Sequence, residues 1–209
     1  MVDGDAPKWV DTLIRAGASA IPLVGGPLEV LLSDVRDRRV TKVRALVADI
    51  EEVAGEESFI RRVSSDPRLE GLFVDAVESA IRTSIDAKRK VLAQAVADAS
   101  VDPSRTDHSE LVVGALRELD VQHVRALARL ESEWNDARGE SGVTLGISEV
   151  WRTLPEPIRA VLIRTAAGKS APQMLTAQQA PYRANGITDF GIEVLEALRS
   201  KGLSDESMA

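Results

Sequence analysis

The feature that most constrains this chain is a run of apolar residues at three- and four-residue steps from Pro27 to about Glu57. Such spacing places the apolar side chains on one face of an α-helix, with charged residues on much of the remaining surface. About 30 residues of helix rise about 45 Å, so the predicted element is long for a chain of 209 residues. The stripe consists of Leu28, Leu31, Leu32, Val35, Val43, Leu46, Val47, Ile50 and Val53.

Two more long helical stretches follow. The pair Asp66-Pro67 suits a helix start, with Asp as N-cap and Pro at the first helical position, and predicts a helix over about 67–99. A third helical region runs over about 109–138, with an interruption near Asp120, which suits another N-cap. The apolar face predicted for this third region is Leu111, Val112, Leu116, Leu119, Val124, Leu127, Leu130 and Trp134.

Composition supports a helical protein. Aromatic residues make up 3% of the chain and apolar residues 44%, so the core is built from Leu, Val, Ile and Ala. A β-sandwich uses more aromatic residues than this, because aromatic side chains suit the pleated surface of a sheet. The absence of cysteine excludes disulfides, thiolate metal sites and cysteine nucleophiles.

The pattern changes after residue 138. Residues 139–146 have the composition of a linker, and shorter elements follow them. We therefore predict a mainly α-helical protein in two parts. Residues 1–138 form an antiparallel bundle of long helices, and residues 147–203 form a small winged-helix-like unit.

The second unit is predicted mainly from its final segment. The string from Ile187 to Leu198 resembles the closing strand and helix of a winged helix-turn-helix. Thr188 or Asp189 suits the N-cap of this helix, and Gly191 allows a close approach to a neighbouring element. The preceding helices are predicted near 120–134, 147–154 and 156–167, with the last ending at Gly168 and a wing shortened to 180–186.

The chemistry of common enzyme sites is not found in the sequence. The two histidines, His108 and His123, are fifteen residues apart and lack the short spacing of a zinc site. Gly25-Gly26 is not followed by the lysine of a phosphate-binding loop, and no Gly-x-Ser-x-Gly occurs. We expect no enzyme activity, no metal and no cofactor. His108 is predicted to be a surface residue, and His123 to be part of a packed or capped helix start.

Nucleic-acid binding is the rival prediction. The net charge of −7 argues against a DNA-binding surface over the whole protein, because phosphate binding needs a concentrated cationic face. A local basic patch in the C-terminal third stays possible. Its candidate DNA contacts are Arg159, Arg164, Lys169 and Arg183.

The segment 16–28 carries no charge in a chain in which 28% of residues are charged. Its glycines and prolines prevent a regular helix, and it is too short to span a bilayer. Two interpretations stay open: a buried loop, or a contact site for a partner, a second copy or a membrane surface. The nearby basic residues Lys8, Arg15, Arg36, Arg38 and Arg39 suit anionic lipids, whereas Glu29, Asp34 and Asp37 oppose this. The candidate contact residues are Ile21, Pro22, Leu23, Val24, Gly25, Gly26, Pro27 and Leu28.

The order of these motifs resembles the abortive-infection alpha family, a group of mostly helical bacterial proteins implicated in phage resistance. The resemblance implies a role in phage defence, and it supplies no catalytic residues. The wing region departs from the family pattern because it is shortened. The matching residues are Ile21, Pro22, Gly25, Gly26, Pro27 and Leu28, then Leu116, Leu119, His123, Arg125 and Leu127, and finally Thr188, Gly191 and Leu195.

The leading functional hypothesis is a cytoplasmic, non-enzymatic interaction protein, acting as a phage-defence effector or sensor. Its expected partner is another protein, a second copy of itself or, peripherally, a membrane. The alternative is a transcription regulator that binds DNA through its C-terminal unit and dimerises through its long helices. The acidic, polar start of the chain is unlike a signal peptide.

Overall fold

A computed structural model describes residues 27–139, 148–170 and 186–204, with side chains from residue 37 and, in the first range, up to residue 136. This part of the chain is mostly helical, which confirms the predicted fold class at that level. Its elements are α1 (Pro27–Ala54), α2 (Glu56–Ser65), α3 (Pro67–Arg82), α4 (Asp86–Val101), a 3₁₀ turn (Pro103–Arg105), α5 (Thr106–Glu118), α6 (Val121–Gly139), α7 (Glu149–Thr153), α8 (Glu156–Arg164), β1 (Gly168–Lys169), β2 (Gly186–Ile187) and α9 (Asp189–Ser200).

Helix α1 matches the long helix predicted from the apolar stripe. Val43, Leu46, Val47 and Ile50 are buried, as the spacing predicts. The helix stops at Ala54 because Gly55 takes a φ of 74°, a left-handed conformation that favours glycine. Val53 is 47% exposed, so its predicted place on the core face is wrong.

The single helix predicted over 67–99 is in fact two, α3 and α4, joined by a short turn. In this turn the Thr83 hydroxyl accepts a hydrogen bond from the Ile85 N–H at 3.1 Å. The Lys42 ammonium of α1 donates to the Ile81 carbonyl at 3.1 Å and to the Thr83 carbonyl at 2.5 Å. The carbonyls left open at the end of α3 are thereby satisfied, and the helix ends. The apolar pattern runs across the break, so periodicity alone did not reveal it.

Helix α4 lies at the centre of the helical assembly. It contacts α1, α2, α3, α5 and α9, and ten of its sixteen residues are buried. The pattern predicted a single apolar face, but Ala87, Ala93 and Ala97 are buried as well. Alanine side chains are small, so neighbouring helices approach this one closely from several directions.

Ion pairs show the relative directions of α3 and α5. Arg68, near the start of α3, pairs with Asp107 near the start of α5 at 2.7 Å. Asp75, further along α3, pairs with Arg117 near the end of α5, also at 2.7 Å. The two helices therefore run in the same direction, and α4 runs back between them.

The apolar face of α5 differs from the prediction at one position. Leu111 is 62% exposed, whereas Val113 is buried in the core. The run Leu111-Val112-Val113 is compatible with two neighbouring choices of face. Contacts with α3 and α4 select the face that contains Val112 and Val113.

Local signals correctly located the starts of α6 and α9. The Asp120 carboxylate accepts hydrogen bonds from the N–H groups of Gln122 and His123, at 2.9 and 3.2 Å. The Thr188 hydroxyl accepts from the Gly191 N–H at 2.9 Å. Both are N-caps of the expected kind.

Strands β1 and β2 pair antiparallel, with Gly168 opposite Ile187 and Lys169 opposite Gly186. The prediction that Gly168 ends the preceding helix is therefore wrong, because Gly168 lies in β1. Helix α8 already ends at Arg164, and Ala166 follows with a positive φ of 57°. The Thr188 N–H and hydroxyl both donate to carbonyls of the segment between α8 and β1, which fixes α9 against it.

Candidate contact surfaces

The start of α1 extends past the helices on which its other end packs. Lys42 bonds to the turn between α3 and α4, and therefore marks the level at which these two helices end. Residues 27–41 of α1 lie beyond this level, and 15 helical residues span about 22 Å. Among the described elements, α1 makes its main contacts with α2, α3 and α4.

Arg39 shows where the packed part of α1 ends. It precedes Val43, Leu46 and Ile50 by four, seven and eleven residues, so helical spacing puts it on the same face. Those three residues are buried, whereas Arg39 is exposed. The surface that covers this face thus ends between Arg39 and Val43.

Three arginines surround α1 near this boundary. Arg38, Arg39 and Arg44 are all exposed. At about 100° per residue, Arg39 and Arg44 lie about 100° and 240° around the helix axis from Arg38. Ion pairs found among the described residues involve none of the three. We call these three residues the arginine collar.

The predicted contact tract lies mostly outside the described residues. Ile21, Pro22, Leu23, Val24, Gly25 and Gly26 belong to that undescribed part of the chain. Pro27 and Leu28 begin α1, so Pro occupies the first helical position as predicted. The tract thus leads directly into the projecting end of α1.

The candidate DNA contacts do not form a basic cluster within the described chain. Arg159 is half-buried on α8, and Arg164 pairs with Glu118 of α5. The hydrogen bond to Glu118 and the charge of that carboxylate raise the pKa of Arg164. Lys169 is exposed in β1, and Arg183 lies outside the described residues.

The solvent side of α8 is mostly apolar or acidic. Glu156, Pro157 and Ala160 are exposed, and Ile163 is 48% exposed. Direct base reading relies on side chains that donate and accept hydrogen bonds at base edges. This face presents little of that chemistry.

Both histidines have structural contacts. His108 Nε2 lies 2.9 Å from Glu193 Oε1, which links α5 to α9 at the surface. His123 is nearly buried, and its Nδ1 accepts a hydrogen bond from the Asp120 N–H at 3.1 Å. The predicted capped position of His123 is confirmed. Within the three described ranges, no cluster of three or more His, Cys, Asp or Glu residues is suited to a metal ion.

Sequence reasoning missed Lys88, a buried lysine in α4. Its ammonium donates to the Leu119 carbonyl at 2.7 Å, and so ties α4 to the turn between α5 and α6. Burial lowers the pKa of Lys88 to about 8, although the nearby Asp120 carboxylate acts in the opposite direction. The local sequence pattern does not distinguish Lys88 from the charged residues next to it, Asp86, Arg89 and Lys90.

The described residues form open grooves on the surface, two of which are well defined. One, of about 400 Å³, lies between α3 and α5 and is lined by Arg68, Gly71, Asp75 and Glu110, among others. The second, of about 340 Å³, lies beside the turn between α3 and α4 and reaches Leu203. The side chains lining them do not form a nucleophile–base pair of the kind used in covalent catalysis.

Comparisons with protein-family models, with curated proteins and with solved structures find no match for this chain. No helix in the described part of the chain is long and apolar enough to cross a membrane.

Proposed function

We propose that this is a non-enzymatic interaction protein that makes its principal contact through the tract 16–28 and the projecting start of α1. The observation that carries the proposal is the 22 Å extension of α1 beyond Lys42, estimated from about 1.5 Å per residue. By sequence, this extension continues the apolar stripe with Leu28, Leu32 and Val35. An apolar stripe that extends past its own core is typical of a surface that packs against something else.

The buried titratable groups support a structural role for the rest of the protein. Lys88 satisfies the Leu119 carbonyl. Glu131, also buried, pairs with Arg199 and so joins α6 to α9. These groups connect helices. A structural role therefore accounts for the buried charges, and no catalytic role is needed to explain them.

We further propose that residues 1–138 form a helical bundle and that residues 147–203 form a winged-helix-like unit. The order α7, α8, β1, β2, α9 and the antiparallel pairing of the strands support this assignment. The exposed apolar residues Pro157, Ala160 and Ile163 of α8 favour packing of this unit against protein. The resemblance to the abortive-infection alpha family adds the proposal of a phage-defence effector or sensor.

The contact function is tested by the double variant Leu23→Asp with Val24→Asp. Two charges in the uncharged tract should abolish self-association or lipid binding of the full chain, because burying a carboxylate is costly. Size-exclusion chromatography with light scattering and vesicle flotation measure the two activities. The control is Val101→Asp with Leu111→Asp, which adds the same charge at two exposed apolar positions elsewhere.

In that experiment the control should behave like the wild type. If the wild-type protein stays monomeric and does not bind lipid vesicles, the proposal is contradicted. An equal loss in the control variant also contradicts it, since the effect then belongs to net charge.

A DNA-binding regulator is the second candidate, favoured by the strand pair beside α8 and by the exposed Lys169. A gel-shift assay with upstream DNA of the gene, over a range of salt concentrations, distinguishes it. Binding that weakens steeply with salt and is lost in Lys169→Gln favours the regulator, because phosphate contacts release counterions.

A further inference from the structure

We propose that the face formed by α3 and α5 is a docking surface for a second copy of the same chain. The groove of about 400 Å³ between the two helices runs along the middle of this face. The inference goes beyond the contact function proposed above, because it concerns a different surface. It is carried by the alternating charges of the face, by two glycines with open space and by two exposed apolar side chains.

Four paired charges occupy the corners of the face. At one end of the groove, Arg68 on α3 pairs with Glu110 on α5 at 2.7 Å. At the other end the signs are exchanged: Asp75 on α3 pairs with Arg117 on α5, also at 2.7 Å. Because the two helices run in the same direction, each corner has neighbours of opposite charge, both along its own helix and across the groove.

This charge pattern is complementary to itself. A second copy docks face to face through a two-fold axis that runs either along the groove or across it. The first axis places α3 on α5 of the second copy, and the second places each helix on its own counterpart in the reverse direction. Arg68 then faces Glu110 of the second copy in the first case and Asp75 of the second copy in the second. Arg117 faces the other of these two carboxylates in each case.

Two glycines leave space in the centre of the face. Gly71 follows Arg68 by three residues. Gly114 precedes Arg117 by three residues, so both glycines lie between the ion pairs. A Cβ atom added at either glycine meets nothing within 4 Å. The backbones of both helices are therefore open to close approach by another helix.

Exposed apolar side chains flank the glycines. Val74 is 40% exposed and Leu111 is 62% exposed. At about 100° per residue, each lies about 60° around its helix from the nearby glycine, on the side away from the groove. The order across the face is Val74, Gly71, the groove, Gly114 and Leu111. When glycine faces glycine in a second copy, the apolar side chains beside them come together and are removed from water, which stabilises the contact.

The same pattern argues against other occupants. A uniformly basic partner helix is repelled by Arg68 and Arg117, and a nucleic acid is repelled by Asp75 and Glu110. The face instead fits a surface that has the opposite charge at all four corners, and a second copy of this chain supplies that surface.

The size of the face sets the expected strength of the contact. Helix α3 has 16 residues, so the face is about 24 Å long, and two helices side by side are about 20 Å wide. Docking therefore covers about 500 Å² on each copy, or about 1,000 Å² in total, which is at the low end for specific interfaces. We expect a weak dimer with a dissociation constant of about 100 µM.

The first test measures the mass of the full-length protein by sedimentation equilibrium between about 10 µM and about 1 mM, in about 0.15 M salt to screen the net charge of −7. We expect the mass to rise towards that of a dimer over this range. Gly114→Gln should raise the dissociation constant by about tenfold or more, because its side chain keeps the two helix backbones apart. The monomer keeps its fold, since the position has open space and glutamine is a better helix former than glycine.

The matched control is Ala48→Gln, which places the same side chain at an exposed position of α1. We expect this variant to dimerise like the wild type. Circular dichroism checks that both variants keep the helical fold.

The second test locates the contact with a short bismaleimide crosslinker, since the chain has no cysteine of its own. Val74→Cys mixed with Leu111→Cys is crosslinked if the axis runs along the groove. Each of these variants is crosslinked to itself if the axis runs across the groove. Val101→Cys, at a position 63% exposed outside this face, is the control and should not be crosslinked above background.

The proposal is overturned if the wild type stays monomeric up to about 1 mM, if Gly114→Gln dimerises normally, or if Ala48→Gln loses the dimer equally. Crosslinking of Val101→Cys that is as efficient as that of the face positions also overturns it. The contact function of the tract 16–28 is measured separately at about 1 µM, where a dimer this weak is dissociated. The two proposals therefore fail independently.

Discussion

The glycines of α3 and α5 differ sharply from those next to the strand pair. A Cβ atom added at Gly71 or Gly114 meets nothing within 4 Å. A Cβ added at Gly168 lies 2.9 Å from both Leu162 and Trp151, and one at Gly191 lies 2.2 Å from the Ala167 carbonyl oxygen. The first region is held together by side-chain stripes and ion pairs. The second depends on close approach of the backbone itself.

This difference shows which parts of the molecule tolerate change. In the helices before residue 119, contacts are made by side chains whose far ends adjust. Around β1 and α9, the contact partner of Gly191 is a backbone carbonyl, which moves only if the strand or the helix moves. Replacing glycine by alanine is therefore expected to stabilise the first region and to destabilise the second.

The largest expected effect is that of Gly191→Ala. The added methyl group overlaps the Ala167 carbonyl, so α9 must shift away from the segment before β1. We expect the free energy of unfolding to fall by about 3 kcal/mol, at the upper end of overpacking effects. Urea denaturation followed by circular dichroism measures it. A loss below about 1 kcal/mol would show that α9 is not held in this close contact.

The second prediction concerns Lys88, which ties α4 to the turn before α6. The pKa of Lys88 is about 8 in the folded protein and about 10.5 when unfolded, so the unfolded state binds more protons between these pH values. The protein should therefore become more stable as pH rises through this window, by about 3 kcal/mol from this group. Below pH 8 the penalty for burying the charge is fully present.

Lys88→Met keeps the aliphatic stem and removes the titrating group. Urea denaturation at several pH values should show that this rise in stability is lost in the variant. Lys90→Met is the control, because Lys90 is only partly buried and pairs with Asp86 at 3.0 Å. An unchanged pH profile in Lys88→Met would rule out Lys88 as its source.

The smallest effect, with the opposite sign to the first, is expected for Gly114→Ala. The position is exposed, lies inside α5 and has free space for a methyl group. Alanine is a better helix former than glycine, so the free energy of unfolding should increase by about 1 kcal/mol. Thermal unfolding measures this. A destabilised Gly114→Ala would remove the contrast between the two glycine environments.

Several local features were predictable because their signals lie within a few residues. Asp66 accepts hydrogen bonds from the N–H groups of Arg68 and Leu69 and caps α3, and Asp120 and Thr188 cap α6 and α9. The close approach at Gly191 was also expected. For the three caps, the residue type and its immediate neighbours determine the backbone conformation, whereas the glycine indicated only that a close approach occurs and not that its partner is Ala167.

Other features depend on distant parts of the chain. The end of α3 involves Lys42, which is about 40 residues away in sequence, with separations of 39 and 41 residues to its two acceptors. Whether Leu111 or Val113 enters the core depends on where α3 and α4 lie beside α5. Alanines of α4 and the lysine at position 88 are buried because helices surround them. Periodicity contains none of this information.

The candidate contact surface combines both kinds of determination. The sequence by itself determined a long helix that starts at Pro27, an uncharged tract before it and several arginines soon after. Only the tertiary structure decided that Arg39, at a core-facing position by spacing, is exposed, because the helices that cover this face end at the level of Lys42. Whether a residue is buried depends on how far the neighbouring helices extend, and this cannot be read from the residues next to it in sequence.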